Sequence, residues 1–192
     1  DPGLVALMVL DLISATFAIG TLLVVNIPQP DASTSGDDAE GSFFQQAIFG
    51  FRYILNRSSL LGLQLVFMMG NFFLNLGFSV RVPMILARTD SNKVLLSSIQ
   101  TTGALAVLIG GIVISAWGGL QRRVHGVLFG FVLTGLARFG FGLSQSLVPW
   151  MVAAFLGALI IPLINASNQA IWQAKISPDI QGRVFASRRM IA

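Results

Sequence analysis

Trp117-Gly-Gly-Leu-Gln-Arg-Arg-Val-His-Gly126 is a short polar break between two long apolar runs, Val94–Ala116 and Val127–Leu143. Paired guanidinium groups in so short a break do not sit in hydrocarbon, where a central arginine is disfavoured by about 2.5–3.5 kcal/mol. The break reads as a tight turn between two membrane-spanning helices, on the side where Lys and Arg accumulate. With that side taken as the cytoplasm, the threading of the whole chain follows.

Composition agrees with lipid as the main solvent. Of the 192 residues, 54% are hydrophobic and only 10% charged, with mean hydropathy +0.78. A soluble domain carries about 25% charged residues. The net charge of +4 does not imply nucleic acid, because the basic residues are dispersed between apolar runs and form no stripe for phosphates. The absence of cysteine excludes a disulfide framework and thiolate chemistry. The chain begins without Met and ends as a new apolar run begins, so it is read as an excerpt of a longer protein.

Five runs are long enough to span, since about 20 helical residues cross a core of roughly 30 Å. They are Gly3–Ile27, Leu60–Ala87, Val94–Ala116, Val127–Leu143 and Leu147–Trp172. Open sheet edges are not tolerated in lipid and the runs far exceed a barrel strand, so the fold class is an all-α polytopic helical bundle. Residues 1–27 form the first span. Residues 28–58 combine an acidic, Ser- and Gly-rich linker with a short helix, and residues 59–192 hold the remaining spans. In Ser42–Arg57, Phe44, Ala47, Ile48, Phe51, Ile54 and Leu55 follow the helical period, and Ser42 and Gln45 have capping-box spacing. That segment either lies in the membrane interface, with Arg52 and Arg57 at anionic headgroups, or extends the next span. Gln173–Arg189 reads as a polar, basic tail.

Alternation places Arg52, Arg57, Arg122, Arg123, Lys175, Arg183, Arg188 and Arg189 inside, eight of the twelve Lys and Arg. Arg88 and Lys93 lie in an outer loop, while Arg81 and Arg138 fall within spans. The positive-inside rule supports this orientation over its reverse.

Intramembrane polar residues are functional candidates by default. Arg138 stands on the row Gly126, Gly130, Thr134, Arg138, Gly142, a small-residue face that points it into the bundle or lets it snorkel to the outer surface. Asp11 is a proton-handling candidate or a partner near the interface. Arg81, near the outer end of its span, reads as an interface anchor. Gln64, Asn71, Asn75 and Phe78 share one face of the second span. Asn165, Asn168, Gln169 and Trp172 gather near the cytoplasmic end of the fifth, just after Pro162 interrupts the backbone ladder. Such amides either line a cavity for an amphipathic substrate or bond between helices. Gln100 is a weaker cavity candidate. Glycines at 62, 70 and 77, and at 103, 110, 111, 118 and 119, allow close crossing, whether for sliding helices or for a tight bundle. No His, Cys or carboxylate cluster has metal-ligand spacing, no cofactor motif is present, and no serine sits in a nucleophile elbow, so an enzyme is not expected.

The residues resemble the major facilitator superfamily. Trp117–Gly126 looks like its turn between the eighth and ninth helices, most similar to the branch of macrolide-efflux and enterobactin exporters. Gly50-Phe-Arg-Tyr-Ile-Leu55 resembles the short helix before helix seven. Asn168-Gln-Ala-Ile-Trp-Gln173, Pro178, Gln181-Gly-Arg-Val-Phe185 and Arg188-Arg189 resemble the end of helix ten and the loop to helix eleven, and Asp11, Ser14 and Phe17 fit helix six. The superfamily's gating motif carries an Asp before its basic residues, whereas Leu120-Gln121 stand here, so Arg122, Arg123 and Arg183 act as a gate or as topological anchors. The resemblance implies helices six to ten of twelve, in a multi-pass protein of the cell inner membrane. It implies export of small amphipathic molecules by alternating access with proton entry, and a partner N-terminal half supplying the other wall. Asn71, Asn75, Gln100, Arg138, Asn165 and Asn168 would then face the substrate. A non-transporting scaffold or a lipid-handling protein of the same architecture is the alternative; a membrane enzyme is a third reading.

Overall fold

The computed structural model describes residues 2–25 and 43–191. The expected linker, and Ser42 of the expected capping box, lie outside the described residues. Two compact units divide the chain, residues 1–32 and residues 33–192. The first contributes α1 (Pro2–Val24), solvent- or lipid-exposed along its described side chains.

The second unit holds α2 (Phe43–Leu55), α3 (Ser58–Arg88), α4 (Lys93–Trp117), α5 (Arg123–Leu143), α6 (Leu147–Leu159), α7 (Ile161–Lys175), a 3₁₀ turn (Pro178–Ile180) and α8 (Gln181–Ile191). Among the described residues there is no strand. Among the described residues five helical stretches are long and apolar enough to cross a membrane: Val5–Val24, Ser58–Arg88, Lys93–Trp117, Arg123–Leu143 and Leu147–Lys175. The last is not one continuous helix. It breaks at Ile160, because Pro162 has no N–H to donate to the carbonyl four residues back.

The turns follow from local chemistry. Gly118 and Gly119 take φ of +79° and +78°, the left-handed region open to glycine, and the Gly118 N–H closes the end of α4 on the Ile114 carbonyl at 2.8 Å. On the opposite end of α4, Asn92 Oδ1 accepts from the N–H groups of Val94 and Leu95 at 3.0 and 3.1 Å. Removing that cap in Asn92→Ala is expected to destabilise the bundle by about 1 kcal/mol, read as a lowered thermal midpoint. Arg88 Nη1 donates to the Gly142 and Ser144 carbonyls at 3.2 and 2.9 Å, a cation against the last carbonyls of α5. The 89–92 and 144–146 turns therefore share one end of the bundle, as alternation requires.

Without a hydrophobic drive between helices in lipid, packing and hydrogen bonds hold the unit. One core joins Ile85, Ile99, Phe141, Trp150 and Ala154, with Trp150 Nε1 donating to the Phe141 carbonyl at 3.2 Å. A second joins Phe67, Val127, Ile164 and Ile171. At the far end, Ile54, Leu60, Trp172, Ile176, Ile180 and Val184 form a third. This third core corrects the reading of Gln173–Arg189 as a mere tail. Ile176, Ile180 and Val184 fold it back as α8 against α2, so the short helix expected at the interface buries Ile54 and Gly50 on protein while Ile48 and Leu55 stay exposed. The small-residue row of α5 is a packing face: a Cβ at Gly126 would stand 2.5 Å from Ser167 Oγ, and one at Gly130 would overlap Ile164.

Candidate functional site

α3, α7 and α8 converge on a polar pocket of about 370 Å³ lined by Phe67, Asn71, Asn165, Asn168, Gln169, Phe185, Arg188 and Arg189. The spacing of Asn165, Asn168 and Gln169 places them on one side of α7, as i, i+3 and i+4. Phe67 and Asn71 do the same on α3. Trp172 Nε1 donates to Asn168 Oδ1 at 3.0 Å, which fixes that amide, and Asn165 is exposed. Arg188 Nη1 donates to Gln169 Oε1 at 3.1 Å, and its guanidinium lies 5.0 Å from the Trp172 ring centre and 5.8 Å from that of Phe185. Burial, and then the charge of neighbouring Arg189, pull the Arg188 guanidinium below its ordinary pKa.

Three of the expected cavity residues thus meet here: Asn71, Asn165 and Asn168. Gln64, grouped with them in sequence, is buried, and its Nε2 donates to the Arg188 carbonyl at 3.0 Å; it is a helix-to-helix tie. Asn75 is exposed and turns its Nδ2 back on the Asn71 carbonyl at 2.8 Å, within a shallow groove with Met68, Phe72 and Ser79. Gln100 is exposed on α4 and lines neither of these. Arg122 and Arg123 are exposed at the start of α5; Arg183 is half-buried in α8, its carbonyl turned toward Gly50. Asp11 is exposed on α1, where Ser14 Oγ donates to its carbonyl at 2.9 Å.

Arg138 goes elsewhere. With Arg81 it lines a second cavity, of about 320 Å³, between α3, α5 and α6. Sequence reasoning missed Arg188 and misplaced Arg81. Arg188 became visible only with the return of α8. Arg81 is the second intramembrane arginine, and it lines a cavity where its position near the end of the span suggests only an anchor.

Amide donors and acceptors, two cations and two phenyl walls can bind an amphipathic molecule in the polar pocket by hydrogen bonding and stacking. Among the described residues, no group of three His, Cys, Asp or Glu could hold a metal ion.

No family model matches the chain, and no solved structure does. Curated proteins do. The chain is 24% identical over 184 residues to macrolide efflux protein A of Enterococcus faecalis, covering 94% of this chain and 56% of that protein. It is equally similar to macrolide efflux protein A of Streptococcus pyogenes, covering 45% of that protein. These relatives are efflux proteins. The chain spans about half the length of the curated relatives it matches.

Proposed function

We propose that this chain is the part of a major-facilitator transporter running from helix six to helix ten, and that the protein exports small amphipathic molecules of drug, macrolide or siderophore type across the cytoplasmic membrane. Alternating access, with two halves rocking about a central site, is the mechanism, and proton entry drives it, with Asp11 the proton carrier. The observation that carries the reading is the meeting of Asn71, Asn165 and Asn168 in one pocket between α3, α7 and α8, in a chain whose relatives are efflux proteins. The pocket lies at the same end as the Arg122–Arg123 turn, since Gly126 faces Ser167 beside Asn168. In this reading α2 lies at the cytoplasmic interface, and the other half of the transporter supplies the facing wall.

The test is made in cells expressing the full-length protein. Asn71→Ala and Asn165→Ala each leave a substrate group unpaired and are expected to weaken binding of radiolabelled erythromycin by about tenfold, with its cellular accumulation rising toward that of cells lacking the protein. Unchanged accumulation and binding in both variants would remove the pocket from the export path.

A further inference from the structure

The second cavity is independent of the polar pocket. Arg81 lies ten residues beyond Asn71 on α3, about 15 Å along the helix, and the two cavities share no lining residue. Its wall is apolar: Phe73, Phe78, Met84, Phe141, Ala154 and Ile161 among others. Into it come two guanidinium groups. Arg81 stacks 4.8 Å from the Phe141 ring centre, and Arg138 stacks 5.0 Å from that of Phe78.

Their donors are poorly used. Nε and Nη2 of Arg81 and Nε of Arg138 are buried without a hydrogen-bond partner, and Arg138 Nη1 has only a 3.5 Å approach to the Leu74 carbonyl. A Cβ on Gly77 would stand 3.2 Å from that Nη1, so the glycine makes room for the cation. No acidic residue lines the cavity. Between residues 43 and 191 the only carboxylates are Asp90 and Asp179, one in the outer turn and the other in the 3₁₀ turn. Two like charges, desolvated together with spare in-plane donors, are strongly disfavoured unless an anion joins them. The guanidinium edge matches the oxygens of a carboxylate or phosphate, and the apolar walls match an alkyl or aryl body.

We propose that the Arg81–Arg138 cavity is a binding site for an anionic amphiphile, a carboxylate or phosphate headgroup on an apolar tail. The arginines grip the headgroup oxygens and the phenyl and alanine walls take the first part of the tail. Lipid headgroups and free amphiphiles share this chemistry.

The probe is radiolabelled dodecyl phosphate, bound at equilibrium to the full chain in phosphatidylcholine nanodiscs, with empty discs subtracted. Saturable binding is expected, and dodecanol and dodecyltrimethylammonium should not compete. Arg81→Gln and Arg138→Gln should each weaken it by about tenfold or more, the loss of one hydrogen bond between charged groups. Arg81→Lys, which keeps the charge, should lose less than Arg81→Gln, and Lys93→Gln, on the exposed start of α4, should bind as wild type. If added phosphatidylglycerol displaces the probe, the natural occupant is a lipid; if it does not, a free amphiphile is. Absence of saturable binding, competition by the cationic probe, or equal affinity in both glutamine variants overturns the proposal. Binding is read without transport, so unchanged erythromycin accumulation in the Asn71 and Asn165 variants, with probe binding intact, counts against the efflux reading alone.

Discussion

Gly110→Leu is expected to disrupt the bundle, whereas Gly103→Leu, two turns earlier on the same helix, should leave it intact. A Cβ at Gly110 would overlap the Leu159 carbonyl oxygen and come within 3.1 Å of its carbon and 3.3 Å of Pro162 Cγ. Nothing lies within 4 Å of a Cβ at Gly103. The obstacle at 110 is backbone, at the point where Pro162 has already interrupted the helix, so no rotamer change relieves it. Overpacking of about 1–3 kcal/mol at about 2–4 °C per kcal/mol lowers the thermal midpoint by roughly 2–12 °C. Trp150 and Trp172, both fully buried, report the transition through their fluorescence. A Gly110→Leu protein that melts with the wild type would show that α4 does not approach the α6–α7 junction this closely.

That junction illustrates what the sequence made legible. Apolar length named the spans, because a helix in lipid must satisfy its own backbone and needs about 20 residues to cross. Pro162 announced the break in the fifth span, and the glycine row of α5 announced a close neighbour, though not which one. The amides of α3 and α7 were legible as faces. Their meeting depended on a third element, α8, and the apolar positions that seat it, Ile180 of the 3₁₀ turn and Val184, sit among charges and show no long run. Ties such as Gln64 to Arg188, 124 residues apart, have no local signature. Arg81 departs from an end anchor for a related reason. Depth along a span says how far a charge is from water, but only the small side chains of α6, from Ala153 to Ala158, decide whether there is a hollow beside it.

The sidedness of the chain is the prediction on which export rests, and it is all-or-none. Gln121→Cys should be inaccessible to a membrane-impermeant maleimide in intact cells and should label once the membrane is permeabilised. Ser91→Cys should label from outside. The chain has no cysteine, so each substitution supplies the only thiol in this sequence, and Gln121→Cys spares both arginines. The physical ground is that Arg122 and Arg123 stand where a helix does not want them. Arg122 is the N-cap of α5 and makes no side-chain cap bond, Arg123 is its first residue, and both are exposed. Cations at a helix N-terminus oppose the macrodipole by about 0.3–1 kcal/mol each. Local helix stability therefore does not account for the pair, and the positive-inside rule expects such a pair on the cytoplasmic side. Reversed labelling would put the Asn71–Asn165–Asn168 pocket at the outer end of the bundle, where substrate could not enter it from the cytosol, and the export reading would fail with it.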